Sequence, residues 1–152
     1  MLRETMANQQ VDILLVDDSQ ADVKLTLHAI KYENLPHRFR VLRDGEEALQ
    51  YLFPPAAQNS PDAASLKLIL LDLKLPKVSG LEVLKAVKSD ATMKSVPVVI
   101  LTSSGQESDI RSSYQLGANS YIQKPVDFES FCTAIQQVRS YWLELNRTVL
   151  SI

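Results

Sequence analysis

Three apolar runs in this chain each stop at polar residues of a matching kind. Residues 11–16 lead into Asp17-Asp18, residues 66–71 into Asp72, and residues 96–101 into Thr102-Ser103-Ser104. A shorter run, 120–123, stops at Lys124-Pro125. Runs of this length without polar alternation are the mark of strands buried on both faces of a parallel sheet. Ligands of such sheets bind beyond the carboxyl ends of the strands. The pattern therefore predicts that three carboxylates, a hydroxyl and an ammonium meet in one small site.

Helix-period segments alternate with these runs, the pattern of an α/β fold. The reading places helices over about 20–32, 45–53, 80–88, 107–116 and from 127 towards 146, and a second strand over 37–42 nearer an edge. Ser19, Asp44 and Ser79 are each placed to cap the helix that follows, with Asp22, Glu47 and Glu82 three residues on. Right-handed crossovers then put helices on both faces of the sheet. Residues 54–65, rich in Pro, Ala, Ser and Asn, read as a surface loop. The expectation is one domain over residues 1–152, core about 11–146, with no output domain.

Composition removes several classes of function. Net charge is −2 with no basic run, which argues against a nucleic-acid surface. No stretch has the length of a membrane span. The single cysteine, Cys132, excludes an internal disulfide and fits a reducing compartment, so a cytoplasmic protein is expected. The two histidines, His28 and His37, lie near no cysteine, which makes a zinc site a poor fit. Neither GxxxxGK[ST] nor GxGxxG occurs.

What remains is the acidic site. An Asp after a strand is often a cap, but Ser79 and Ser19 already serve the helices that follow Asp72 and Asp17-Asp18. Ionised carboxylates crowded together need a cation. Mg²⁺ suits such oxygen donors because it keeps several waters and takes few protein ligands. With Lys124 nearby, the site can neutralise a phosphoryl group whose oxygens Thr102 also reaches. Asp72 is then free to attack phosphorus and form an aspartyl phosphate.

These residues bring out a resemblance. Asp17-Asp18, the stretch Asp44-Gly45-Glu46-Glu47-Ala48-Leu49, Asp72-Leu73-Lys74-Leu75-Pro76, Gly80, Thr102, Gly117-Ala118 and Lys124-Pro125 occur in the order and spacing of response regulator receiver domains of two-component systems. The chain resembles that family over about 11–146. The resemblance implies a flavodoxin-like, doubly wound (βα)5 fold with a five-stranded parallel sheet of order 2-1-3-4-5. It implies that Asp72 accepts phosphate from a phosphohistidine of a sensor histidine kinase. Asp18, Asp72 and the Lys74 backbone carbonyl would bind Mg²⁺ directly, and Asp17 mainly through water. Lys124 would pair with the phosphoryl group, with a cis Lys124–Pro125 bond. Thr102 and Tyr121 would form a switch pair, the hydroxyl drawn inward and the ring turning into the space it leaves.

Lys74 and Ser104, two residues after Asp72 and Thr102, stand where side chains modulate access to the site. Phe128, Phe131, Ile135 and Val138 read as the core side of the last helix. Tyr141, Trp142 and Leu145 read as a possible interface. The long loop and the Tyr141-Trp142-Leu143-Glu144 ending are similar to stand-alone regulators that partner cyanobacterial phytochromes. That likeness implies a phytochrome kinase as partner, a homodimer, and output through an unknown downstream protein, without enzymatic turnover beyond the protein's own phosphotransfer and dephosphorylation. Two alternatives stand beside it. One is a phosphorylation-independent protein-binding module. The other is a phosphatase of the haloacid-dehalogenase type, but that chemistry wants a second Asp where Lys74 stands.

Overall fold

The apolar runs pair side by side. The computed structural model describes residues 11–31, 38–55, 63 and 65–149. In chain order these form β1 (Ile13–Val16), α1 (Gln20–Lys31), β2 (Phe39–Leu42), α2 (Gly45–Leu52), β3 (Leu68–Leu71), α3 (Gly80–Ser89), β4 (Val98–Thr102), α4 (Glu107–Gln115), β5 (Ser120–Gln123) and α5 (Phe128–Arg139). The strands make one sheet in the order β2-β1-β3-β4-β5, and every pairing is parallel. This is the expected flavodoxin-like arrangement.

Strand side chains alternate between two cores. Leu14, Val16, Ile69, Leu71, Val98 and Ile100 face Ala48 and Leu52 of α2 and Val83, Leu84 and Val87 of α3. Ile13, Leu15, Leu68, Leu70, Val99 and Leu101 face Val23, Ala29 and Ile30 of α1 and Phe131, Ile135 and Val138 of α5. All residues of β1, β3 and β4 are buried, which is why their sequences show no polar alternation. Full burial of one such Leu or Ile contributes about 1.5–3 kcal/mol. β2, at the edge, is only partly buried.

The helix starts follow the capping pattern. Ser19 Oγ accepts from Asp22 N–H at 3.3 Å, Asp44 Oδ1 from Glu47 N–H at 2.8 Å, and Ser79 Oγ from Glu82 N–H at 3.3 Å. Gly117, with φ of 104°, takes the left-handed conformation that ends α4. Lys88 closes the amino end of the sheet. Its ammonium donates to the Lys94 and Val96 carbonyls and to Asn119 Oδ1, at 3.0, 2.9 and 3.0 Å.

Several expectations change. Phe128 is 54% exposed rather than core, because it opens α5 beyond the carboxyl edge of the sheet; its ring faces His28 at 6.3 Å. The α-helix stops at Arg139, and wider π-type turns carry Ser140–Leu145. Cys132 is half-buried against the α1–α5 core. Trp142 packs on that same core and meets Tyr141 edge-on at 4.9 Å, while Tyr141 and Leu145 are 50% and 72% exposed. His37, Tyr32 and most of the loop at 54–65 lie outside the described residues. Among the described residues no helix is long and apolar enough to cross a membrane.

Candidate functional site: an acidic cleft around one lysine

Strand register brings the polar residues together. Val16 of β1 pairs with Leu71 of β3, so Asp17 and Asp72 leave the sheet side by side. Asp72 N–H donates to the Val16 carbonyl at 3.0 Å, and Asp17 N–H to the Leu42 carbonyl at 3.0 Å. At the other edge Thr102 pairs with Gln123, and Lys124 N–H donates to the Thr102 carbonyl at 2.7 Å. The result is a cleft of about 310 Å³ lined by Asp18, Asp22, Asp72, Lys74, Thr102 and Lys124 among others.

Lys124 is the hub. Its ammonium donates to Asp17 Oδ2, Asp22 Oδ2 and Asp72 Oδ2, each at 2.8 Å, and its side chain is 5% exposed. The other oxygens of two of these acids are held by the backbone: Asp17 Oδ1 accepts from Ser19 N–H at 2.9 Å and Asp72 Oδ1 from Lys74 N–H at 3.1 Å. Burial raises the Asp17 pKa, and the bonds from Lys124 and Ser19 N–H offset only part of that. Burial would lower the Lys124 pKa, but the bonds to Asp17, Asp22 and Asp72 outweigh it and hold it above the ordinary lysine range. The causes differ: burial dominates at Asp17, whereas three carboxylates dominate at Lys124.

Oxygens of Asp17, Asp18 and Asp72 lie within 4.8 Å of one another. Asp17 and Asp72 are buried and Asp18 is exposed. These are hard oxygen donors with an excess of negative charge and an open side, a set that fits a divalent cation of the Mg²⁺ or Mn²⁺ kind. Thr102 is fully buried, and its Oγ1 accepts from Ser104 N–H at 3.4 Å. Tyr121 is half-buried, its hydroxyl donating to the Ser104 carbonyl at 2.8 Å. Lys74 stands exposed at the rim.

The structure gathers Asp17, Asp18, Asp72, Thr102 and Lys124 as expected and corrects one feature. No peptide bond among the described residues is cis, so Lys124–Pro125 is trans. Trans is the intrinsically preferred isomer by about 0.5–1 kcal/mol, and from it Lys124 already reaches three carboxylates. Sequence reasoning also missed three residues. Asp22 was read as part of a helix cap, yet its carboxylate binds Lys124, and no local signal marked it because that partner lies 102 positions away. Asp109 accepts the Ser104 hydroxyl. Lys77 has φ of 70°, in a tight turn closed by Val78 N–H on the Pro76 carbonyl at 2.8 Å, and Gly45 N–H reaches that carbonyl too, at 3.3 Å.

Comparison with known proteins agrees with this geometry. Residues 13–136 match the response regulator receiver domain. The response regulator Rcp1 of Synechocystis sp. is 41% identical over 133 residues, covering 87% of this chain and 88% of that protein. The structure is similar to that of the phosphorylated cyanobacterial phytochrome response regulator RcpA, with a TM-score of 0.84, 38% identity and coverage of 93% of this chain and 99% of that one. It is also similar to the Mn²⁺-bound form of Rcp1, with a TM-score of 0.82, 37% identity and coverage of 92% and 99%. Matching family, fold and site together, this chain belongs to the response regulator receiver domain family.

Proposed function

We propose that this receiver accepts a phosphoryl group on Asp72 from a phosphohistidine of a sensor histidine kinase and signals through its surface. The observation that carries the reading is the placement of Asp72 beside Asp17, Asp18 and Lys124, in the cleft that Thr102 also lines. A carboxylate oxygen of Asp72 attacks phosphorus, and the bond from phosphorus to the histidine nitrogen breaks. Lys124 gives up its bond to Asp72 and donates to a phosphoryl oxygen, while the Thr102 hydroxyl donates to another. Asp18, Asp72 and the Lys74 carbonyl would hold Mg²⁺, with Asp17 acting through water; the bound ion supplies positive charge to the phosphoryl oxygens. Lys74 and Ser104 govern how far water reaches the product.

Thr102 and Tyr121 are the switch pair of this reading. A Thr102 hydroxyl committed to phosphate leaves Ser104, whose carbonyl holds Tyr121, and the β4–α4 loop changes with it. The kinase is proposed to be a phytochrome, on the strength of the similarity to Rcp1 and RcpA. A homodimer through Tyr141, Trp142 and Leu145 and a downstream protein partner complete the proposal, in a cytoplasmic setting.

The test is intact-mass analysis after incubation with acetyl phosphate, with and without Mg²⁺, on wild type and Asp72→Asn. The expected result is a Mg²⁺-dependent gain of one phosphoryl group that the variant lacks. No adduct in wild type, even with rapid trapping, would turn the reading towards a phosphorylation-independent binding module.

A further inference from the structure

We infer that Asp22 is a positioning residue, the acceptor that keeps Lys124 aimed into the cleft when its other partners are taken. This rests on the phosphoacceptor reading of Asp72. An ammonium has three N–H donors, and Lys124 spends one on each of Asp17, Asp22 and Asp72, all at 2.8 Å. Two of those acceptors belong to the trio whose oxygens converge as a cation site; Asp22 does not. A divalent ion competes with the ammonium for Asp17 and Asp72, and a phosphoryl group on Asp72 consumes that carboxylate. Asp22 is the partner that neither event removes.

The helix fixes where this partner stands. Asp22 lies in the first turn of α1, with its N–H on Ser19 Oγ at 3.3 Å and its carbonyl taking the Thr26 hydroxyl at 2.8 Å. Its carboxylate reaches Lys124 from the helix side, while Asp17 and Asp72 reach it from the strand ends. The pull of Asp22 therefore draws positive charge away from the cation trio without releasing it from the cleft. A first-turn acid also favours the helix dipole, but that role needs no contact with Lys124, and the contact is made by a side chain only 28% exposed.

Asp22→Asn keeps the shape and removes the charge. Lys124 then falls back on Asp17 and Asp72. The affinity for Mn²⁺, read from the free-ion paramagnetic resonance signal, should weaken about tenfold, the scale of one charge-assisted hydrogen bond. At saturating Mg²⁺ the acetyl phosphate concentration for half-maximal phosphorylation should rise by a similar factor, about tenfold. Asp22→Glu, which restores the charge, should recover Mn²⁺ affinity to within about threefold of wild type. The inference is overturned if Asp22→Asn changes only thermal stability, if either the Mn²⁺ or the acetyl phosphate value stays at wild type, or if Asp22→Glu recovers nothing. Should wild type take no phosphoryl group, the phosphoacceptor reading falls by itself, and the Mn²⁺ comparison still decides the case for Asp22.

Discussion

The Tyr121 hydroxyl donates to the main-chain carbonyl of Ser104 at 2.8 Å, tying β5 to the loop that follows β4. Ser104 also offers its N–H to Thr102 Oγ1 at 3.4 Å and its hydroxyl to Asp109 in the first turn of α4. One residue thus joins the buried hydroxyl of the site, an aromatic ring at the sheet edge and a helix on the surface. Burial raises the Tyr121 pKa; the Ser104 bond opposes this, and Asp109 and Asp72 add to it. Tyr121→Phe should cost about 1 kcal/mol in urea unfolding, the net value of one hydrogen bond, and leave phosphoryl transfer to Asp72 intact by mass. Loss of the adduct would place Tyr121 in the chemistry rather than in the readout.

Removing the ammonium should expose how much repulsion it holds in check. Lys124→Met leaves Asp17, Asp22 and Asp72 without their shared cation, next to the exposed Asp18. The expected loss is about 3 kcal/mol without metal. Mg²⁺ should then raise the melting temperature of the variant more than that of wild type, because no ammonium competes for the same oxygens. Equal shifts in the two proteins would mean that Lys124 and the ion do not share ligands.

Acid titration gives a separate signature. The folded-state pKa of Asp17 is raised above its ordinary value of 3.8. Between that value and its folded pKa the folded protein holds more protons than the unfolded chain, so stability falls as pH rises through this window. Lys124 has the same sign in a far more alkaline window. Its raised pKa contributes stability that is fully present at neutral pH and lost only as pH climbs through the folded value. Metal-free melts followed upward from pH 3.8 should therefore show a downward slope from Asp17 that Asp17→Asn removes.

Gly80 sets how closely α3 approaches the end of β3. A Cβ built there would lie 2.1 Å from the Asp72 carbonyl oxygen and 2.6 Å from Leu73 Cα, both backbone atoms that cannot yield cheaply. Gly80→Ala should cost about 3 kcal/mol in urea unfolding and slow phosphorylation by displacing Asp72. A stable variant with wild-type kinetics would show that the helix can retreat without moving the site.

The carboxyl ends of the strands were legible in the sequence because an apolar run must stop where side chains meet a polar cleft. The amino ends were not. Val11, Leu66 and Val96 are buried yet precede their strands by two residues, since a run of apolar residues records exclusion from water and not ladder pairing. Phe128 shows the converse error: helical spacing placed it on the core side, but the sheet ends before α5 begins. Asp17, Asp18, Asp72, Thr102 and Lys124 could be assigned because each lies at the carboxyl end of its strand or within two residues of it. Asp22 could not, because its partner lies 102 positions away, and only the tertiary fold shows which face of α1 the cleft occupies.

Lys88 and Lys124 stand at opposite ends of the same sheet, and each uses its ammonium three times. Their acceptors differ in kind. Lys124 holds ionised carboxylates, which an ion or a phosphoryl group can claim. Lys88 holds two carbonyls and an amide oxygen, and Asn119 Oδ1 also takes the Val98 N–H at 2.8 Å, so α3, β4 and the start of β5 are pinned together by neutral groups. The contacts at the two ends share no residue. The molecule has a fixed point opposite its cleft, and on the proposed reading a change of charge in the cleft is left to the loops and helix starts around it.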